Sequence, residues 1–141
     1  MTDWMDRPLA EMAQAIDEGN VGAVEIAETA IARHDAWDDK LNAYKTWDAE
    51  NTLDQAKAAD HALKSGNNLG TLTGVPISAK DIYGVEGFPT FAGSPKQLPG
   101  DWEKEGPVVK AVRRQLCVIP GKTHTVEFAF GGLGINPHWV T

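Results

Sequence analysis

Apolar positions recur at helical spacing through the first 65 residues. Leu9, Met12, Ala13 and Ile16 fall at i, i+3, i+4 and i+7, which predicts a helix over residues 8–17 closed by Gly19 and Asn20. Val24, Ile26, Ala27, Ala30 and Ile31 predict a second helix, running to about residue 37. Leu53, Ala56, Ala59, Ala62 and Leu63 predict a third over residues 48–64, stopped by Gly66. The intervening positions are rich in Glu, Asp and Lys and read as solvated faces.

From residue 66 the texture changes to Gly and Pro. The run 74–80 (GVPISAK) is short, extended and apolar, and predicts a strand. Gly84, Gly87, Pro89, Gly93, Pro95, Pro99 and Gly100 then punctuate a long loop. Loops of that length in a compact domain are functional or disordered. Pro107 suits a first helical position, and Val108, Val109, Val112 and Leu116 give a buried stripe over a helix from 107 to about 115. Residues 117–119 predict a second strand, and residues 123–130 a short helix with Thr123 as its N-cap. Strand, loop, helix, strand, helix is an α/β pattern, a sheet flanked by helices. The expected organisation is a helical segment over 1–65 and the first part of a mixed-sheet core over 66–141. Two strands alone do not make a stable sheet, and NPHWVT at 136–141 reads like the middle of a domain, so the sequence reads as truncated.

Composition narrows the function classes. With 13 Lys and Arg against 20 Asp and Glu the net charge is -7, which argues against a nucleic-acid partner. No apolar run reaches the roughly 20 residues needed to span a bilayer, and the N-terminus has no signal-peptide pattern, so a cytoplasmic, non-membrane protein is expected. A single cysteine, Cys117, excludes an intrachain disulfide and sits in an apolar run, where it reads as a small buried hydrophobe.

Several residues carry possible chemistry. Lys80 stands at the end of an apolar strand beside the Gly/Pro loop, where α/β sites are built, and partial burial there would free its amine as a base. The plain alternative is a solvated lysine beside Asp81. Ser78 shares the strand face with Lys80, but Cα atoms two residues apart are about 7 Å from each other, too far for a direct dyad unless the lysine folds back. Gly121, Lys122 and Thr123 imitate the tail of a phosphate loop, but Leu116 stands where the leading glycine belongs and Pro120 removes an amide. His124, Glu127 and His138 are conceivable metal ligands, but there is no HExxH and no cysteine cluster, so no metal is expected.

Five stretches, in order and at matching spacing, resemble the amidase signature family. They are LTGVPISAKDIYG at 72–84, FPTFAGS at 88–94, GPVVKAVRRQL at 106–116, VIPGKT at 118–123 and VEFAFGGLGINPH at 126–138. The resemblance runs over about residues 41–139. It implies an incomplete amidase-signature α/β fold and cleavage of carbon–nitrogen bonds of small-molecule amides by a Ser–cis-Ser–Lys triad. In that triad Lys80 is the catalytic lysine, and no metal or organic cofactor is required. It also implies that Phe130, Gly131 and Gly132 approach the acyl pocket. The chain departs from the family in its serines: only Ser65, Ser78 and Ser94 occur, none in the Gly-Ser-Ser-Gly or Gly-Gly-Ser context that supplies the other two triad members. Cys117 stands where a small residue is usual, and Val140 where a Gly is common. Hydrolysis by the 141 residues alone is therefore not expected. The rival reading is a non-catalytic binding module derived from a truncated amidase, stable only with a partner or as a homo-oligomer.

Overall fold

The computed structural model describes residues 3–139; Val140 and Thr141 lie outside the described residues. A short 3-10 turn at Trp4–Asp6 precedes helices α1 (Leu9–Asp17) and α2 (Ala23–Leu41). Strand β1 (Tyr44–Trp47) follows, then α3 (Ala49–Lys64), strand β2 (Ala79–Lys80), a 3-10 turn at Gly100–Glu103, α4 (Pro107–Arg114) and strand β3 (Gly121–Thr123). All four helices lie where the periodicity predicts them. Helix α2 runs four residues further than its stripe, to Leu41, where Asn42 takes the left-handed conformation (φ 47°) and its N–H donates to the Asp38 carbonyl at 2.7 Å. Asp48 starts α3 as its N-cap, accepting from the Asn51 amide at 2.9 Å. Pro107 opens α4 at the first helical position.

The sheet is mixed, in the order β1–β3–β2, with β1 antiparallel and β2 parallel to β3. The two apolar runs expected to be strands do meet. Ile77 N–H donates to the Val118 carbonyl at 2.8 Å and Val118 N–H to the Val75 carbonyl at 3.0 Å. The regular ladder lies just past them, at Ala79–Lys80 and Gly121–Thr123, so the expected strand at 117–119 is displaced towards the residues between it and the helix expected from Thr123. Strand β1 has no counterpart in the sequence pattern: four residues between two helices are too few for alternation to register. Gly121 is required where β1 crosses, because a Cβ there would lie 2.2 Å from the Thr46 carbonyl oxygen.

The expected helix over 123–130 does not form. Thr123 belongs to β3, and only a 3-10 turn at Glu127–Ala129 remains. Phe128 (φ 49°) and Ala129 (φ 57°) are left-handed, which breaks an α-helical path. The Phe128 N–H donates to the Ala92 carbonyl at 2.6 Å, and the buried Asn136 side chain donates to the carbonyls of Gly93 (2.7 Å) and Thr125 (2.9 Å). These bonds fold the segment back onto the loop instead.

Three apolar clusters hold the layers together. Met12, Ala15, Ile16, Val21, Ile26 and Val75 join α1 and α2 to the start of the sheet. Ala23, Ala27, Ala56 and Ala59 let α2 and α3 approach closely over Val118. Val85, Phe88, Val109 and Ile119 seat α4 under the long loop. Asp60 of α3 caps α2 from across the interface, accepting from the Ala23 amide at 2.7 Å and the Val24 amide at 3.4 Å, so a carboxylate meets the positive end of the helix. Cys117 is 2 % exposed and burial pushes its thiol up to about 11, the inert hydrophobe expected.

Candidate active site

Lys80 ends β2. Its side chain is exposed, as is that of Tyr83 a turn later, while Ala79 turns inward towards Val85 and Val109; Ser78 and Lys80, two residues apart, project from one face. Lys80 lines a groove with Ser78, Tyr83, Val108 and Val112. The partial burial expected for it is not found. Its backbone is fixed: the Lys80 carbonyl accepts from the amides of Ile82 (2.7 Å) and Tyr83 (2.9 Å), and the next amide, Asp81 N–H, donates to the Thr123 carbonyl at 2.9 Å.

The buried lysine is Lys122, at 0 % exposure. Its ammonium pairs with Asp81 (1 % exposed) at 2.8 Å and donates to Thr90 Oγ1 at 2.6 Å and to the Pro89 carbonyl at 3.0 Å. Asp81 also accepts from the Phe91 amide at 3.2 Å, and Thr90 Oγ1 donates to the Trp102 carbonyl at 3.1 Å. Burial lowers the Lys122 pKa, opposed by the Asp81 carboxylate. The GKT stretch is thus a structural bolt: its amine is spent inside the protein and cradles no phosphate. Sequence reasoning discounts the phosphate-loop likeness of Lys122 without assigning it another role, and treats Asp81 only as a loose neighbour of Lys80. The one signal for the pair is the position of both charges beside otherwise apolar strand runs.

Near this bolt Lys45 sits 3.2 Å from the Trp139 ring centroid and 4.2 Å from that of Phe91. Burial lowers its pKa, as it lowers that of His124, where the Lys45 charge acts in the same direction. His124 is not joined with Glu127 on a helix; Glu127 instead lies 3.6 Å from His138 Nε2. Among the described residues no group of three His, Cys, Asp or Glu could hold a metal ion.

The remaining serines are engaged elsewhere. Ser65 Oγ donates to the His61 carbonyl at 2.8 Å, and buried Ser94 Oγ to the Lys96 carbonyl at 2.6 Å. Phe130, Gly131 and Gly132 lie on the turned-back segment, with Phe130 95 % exposed, and line a groove of their own with Val126 and Leu133, separate from the one that holds Lys80.

The amidase family model matches residues 25–139, and the chain belongs to that family. It is 49% identical over 133 residues to the 2-amino-5-chloromuconic acid deaminase of Comamonas testosteroni, covering 94% of this chain and 29% of the relative. It is 35% identical over 127 residues to the indoleacetamide hydrolase of Bradyrhizobium diazoefficiens, covering 90% of this chain and 24% of that enzyme. The crystal structure of an amidase superposes with a TM-score of 0.82 at 30% identity, over 93% of this chain and 30% of that one. The native peptide amidase of Stenotrophomonas maltophilia gives 0.79 at 22% identity, over 89% and 26%, a likeness of fold. The chain thus spans less than a third of the length of these curated relatives. No described helix is long and apolar enough to cross a membrane.

Proposed function

We propose that this chain supplies the lysine arm of an amide hydrolase, with Lys80 as the base of a Ser–cis-Ser–Lys triad whose serines come from polypeptide outside these 141 residues. The observation that carries the reading is Lys80 itself, exposed at the carboxyl end of β2 with its backbone pinned on both sides. The Lys80 side chain takes the proton of the nucleophilic serine through the cis serine. The serine oxygen attacks the amide carbonyl, the C–N bond breaks as the proton passes to the leaving nitrogen, and water then releases the acid from the acyl-enzyme. Phe130, Gly131 and Gly132 face the acyl group. The helical segment 1–65 and the core start 66–141 act as one unit of that domain, in the cytoplasm, on small-molecule amides.

The 141 residues by themselves lack the covalent step. Ser65 and Ser94 are committed to backbone carbonyls, and Ser78 stands about 7 Å along the strand from Lys80. The test is ammonia release from benzamide by the purified chain and its Lys80→Met variant. The expected result is no release above buffer from either. Turnover lost on Lys80→Met would overturn the inactivity, and turnover surviving it would overturn the role of Lys80. In a longer chain that supplies both serines, Lys80→Met abolishes hydrolysis.

A further inference from the structure

Strand β2 forms one margin of the sheet, since the strand order is β1–β3–β2. Backbone groups along a strand point alternately to its two sides. Ile77 and Asp81 donate inward, to the carbonyls of Val118 at 2.8 Å and Thr123 at 2.9 Å, and Ala79 pairs with Lys122. The residues between them, Ser78 and Lys80, turn their amides outward. Among the described residues neither the Ser78 amide nor its carbonyl has a backbone partner. Pro76 has no N–H to offer, so the open stretch begins at Ser78.

The flank of this margin is apolar. Tyr83 (47 % exposed) and Val108 (62 % exposed, in the first turn of α4) line a groove with Ile77 and Ser78. Its volume is about 170 Å³, below the range of small-molecule sites and closer to the size of a side chain. Open amides beside a narrow apolar groove suit an added strand, which pairs its backbone with the edge and sets alternate side chains into the groove.

Two observations choose the occupant. The matched relatives carry more than two thirds of their length outside the part shared with this chain, which covers 29% of the deaminase and 30% of the amidase crystal structure. A second copy fits less well, because edge pairing about a twofold axis would bring two Lys80 side chains together, between chains that each carry a net charge of -7. We infer that an extended segment of the serine-bearing polypeptide docks on the open edge of β2, pairing its backbone with Ser78 and Lys80 and seating an uncharged side chain between Tyr83 and Val108. This occupant rests on the triad reading of Lys80; the openness of the edge does not. Docking there brings the second polypeptide alongside Lys80.

The test co-expresses the 141-residue chain with the part of the Comamonas testosteroni deaminase that lies beyond the match. Complex formation is read by sedimentation, and the edge by hydrogen exchange at Ser78. A one-to-one complex is expected, in which the Ser78 amide, fast in the chain alone, exchanges about a hundredfold more slowly. Ser78→Pro deletes the outward amide without removing a ladder bond. Val108→Glu puts a charge into the groove at an exposed position where an acid suits the helix start. Each weakens the complex by about tenfold or more. The inference is overturned by no complex, by a complex in which the Ser78 amide stays fast, or by unchanged affinity in both variants. A dimer of the chain alone that protects Ser78 overturns it too, since a second copy would then be the occupant. Association is read without turnover, so its failure leaves the role of Lys80 to the hydrolysis assay. A complex that forms as expected but hydrolyses no amide removes the catalytic reading and leaves the docking edge standing.

Discussion

Replacing Lys122 by Met removes the ammonium and keeps most of the side-chain volume. It strands the Asp81 carboxylate, at 1 % exposure, with only the Phe91 amide as donor, and takes the donor from Thr90 Oγ1 and the Pro89 carbonyl. Removing one partner of a buried pair costs about 3–5 kcal/mol, because the other charge stays buried without compensation. Domains of this kind have roughly 5–15 kcal/mol in total. With a urea m-value of about 2 kcal/mol/M, the midpoint falls by roughly 2 M. Tryptophan fluorescence and circular dichroism in urea read it. The double variant Asp81→Asn/Lys122→Met removes both charges and recovers a good part of the loss, since the desolvated carboxylate is then gone. A single-variant loss below about 1 kcal/mol, or a double variant no more stable than Lys122→Met, would refute the reasoning.

Four other perturbations separate further parts of the fold. Gly121→Ala drives a Cβ to 2.2 Å from the Thr46 carbonyl, so β1 parts from β3 and stability drops by more than about 2 kcal/mol in the same urea assay. Asp60→Ala leaves the Ala23 and Val24 amides uncapped and costs about 1 kcal/mol, with slower α2 amides becoming fast in hydrogen exchange. The Cys117 thiol has its folded pKa raised from 9.0 to about 11, so its contribution is full below pH 9 and is lost as pH rises to 11. That loss is roughly 3 kcal/mol, it appears as an alkaline fall in the urea midpoint, and Cys117→Ala flattens it. His124 has its folded pKa lowered, so it destabilises on acidification through its unfolded pKa of about 6.5, where the unfolded chain takes up the proton first; His124→Gln flattens that acid limb in the same midpoint measurement.

What the sequence determined by itself was local. A stripe at 3.6-residue spacing is a property of one segment, so all four helices, the start of α3 at Asp48 and that of α4 at Pro107 were legible, as was the α/β class that follows from helices alternating with short apolar runs. The order of motifs pointed to the amidase family, and the family model matches over residues 25–139. Tertiary structure decided what depends on pairing between distant segments. The four residues of β1 are a strand only because β3 lies beside them, and the ladder settles at Ala79–Lys80 and Gly121–Thr123 because that is where the backbones meet. The segment after Thr123 gives up its helix because Asn136 and Ala92 hold it elsewhere. Lys80 and Lys122 are both strand lysines in sequence. Which is buried was fixed by the face each presents: Lys122 turns towards Asp81 and the 89–91 loop, and Lys80 turns out, because side chains alternate along a strand while the partner that decides the inner face lies about 40 residues away in sequence.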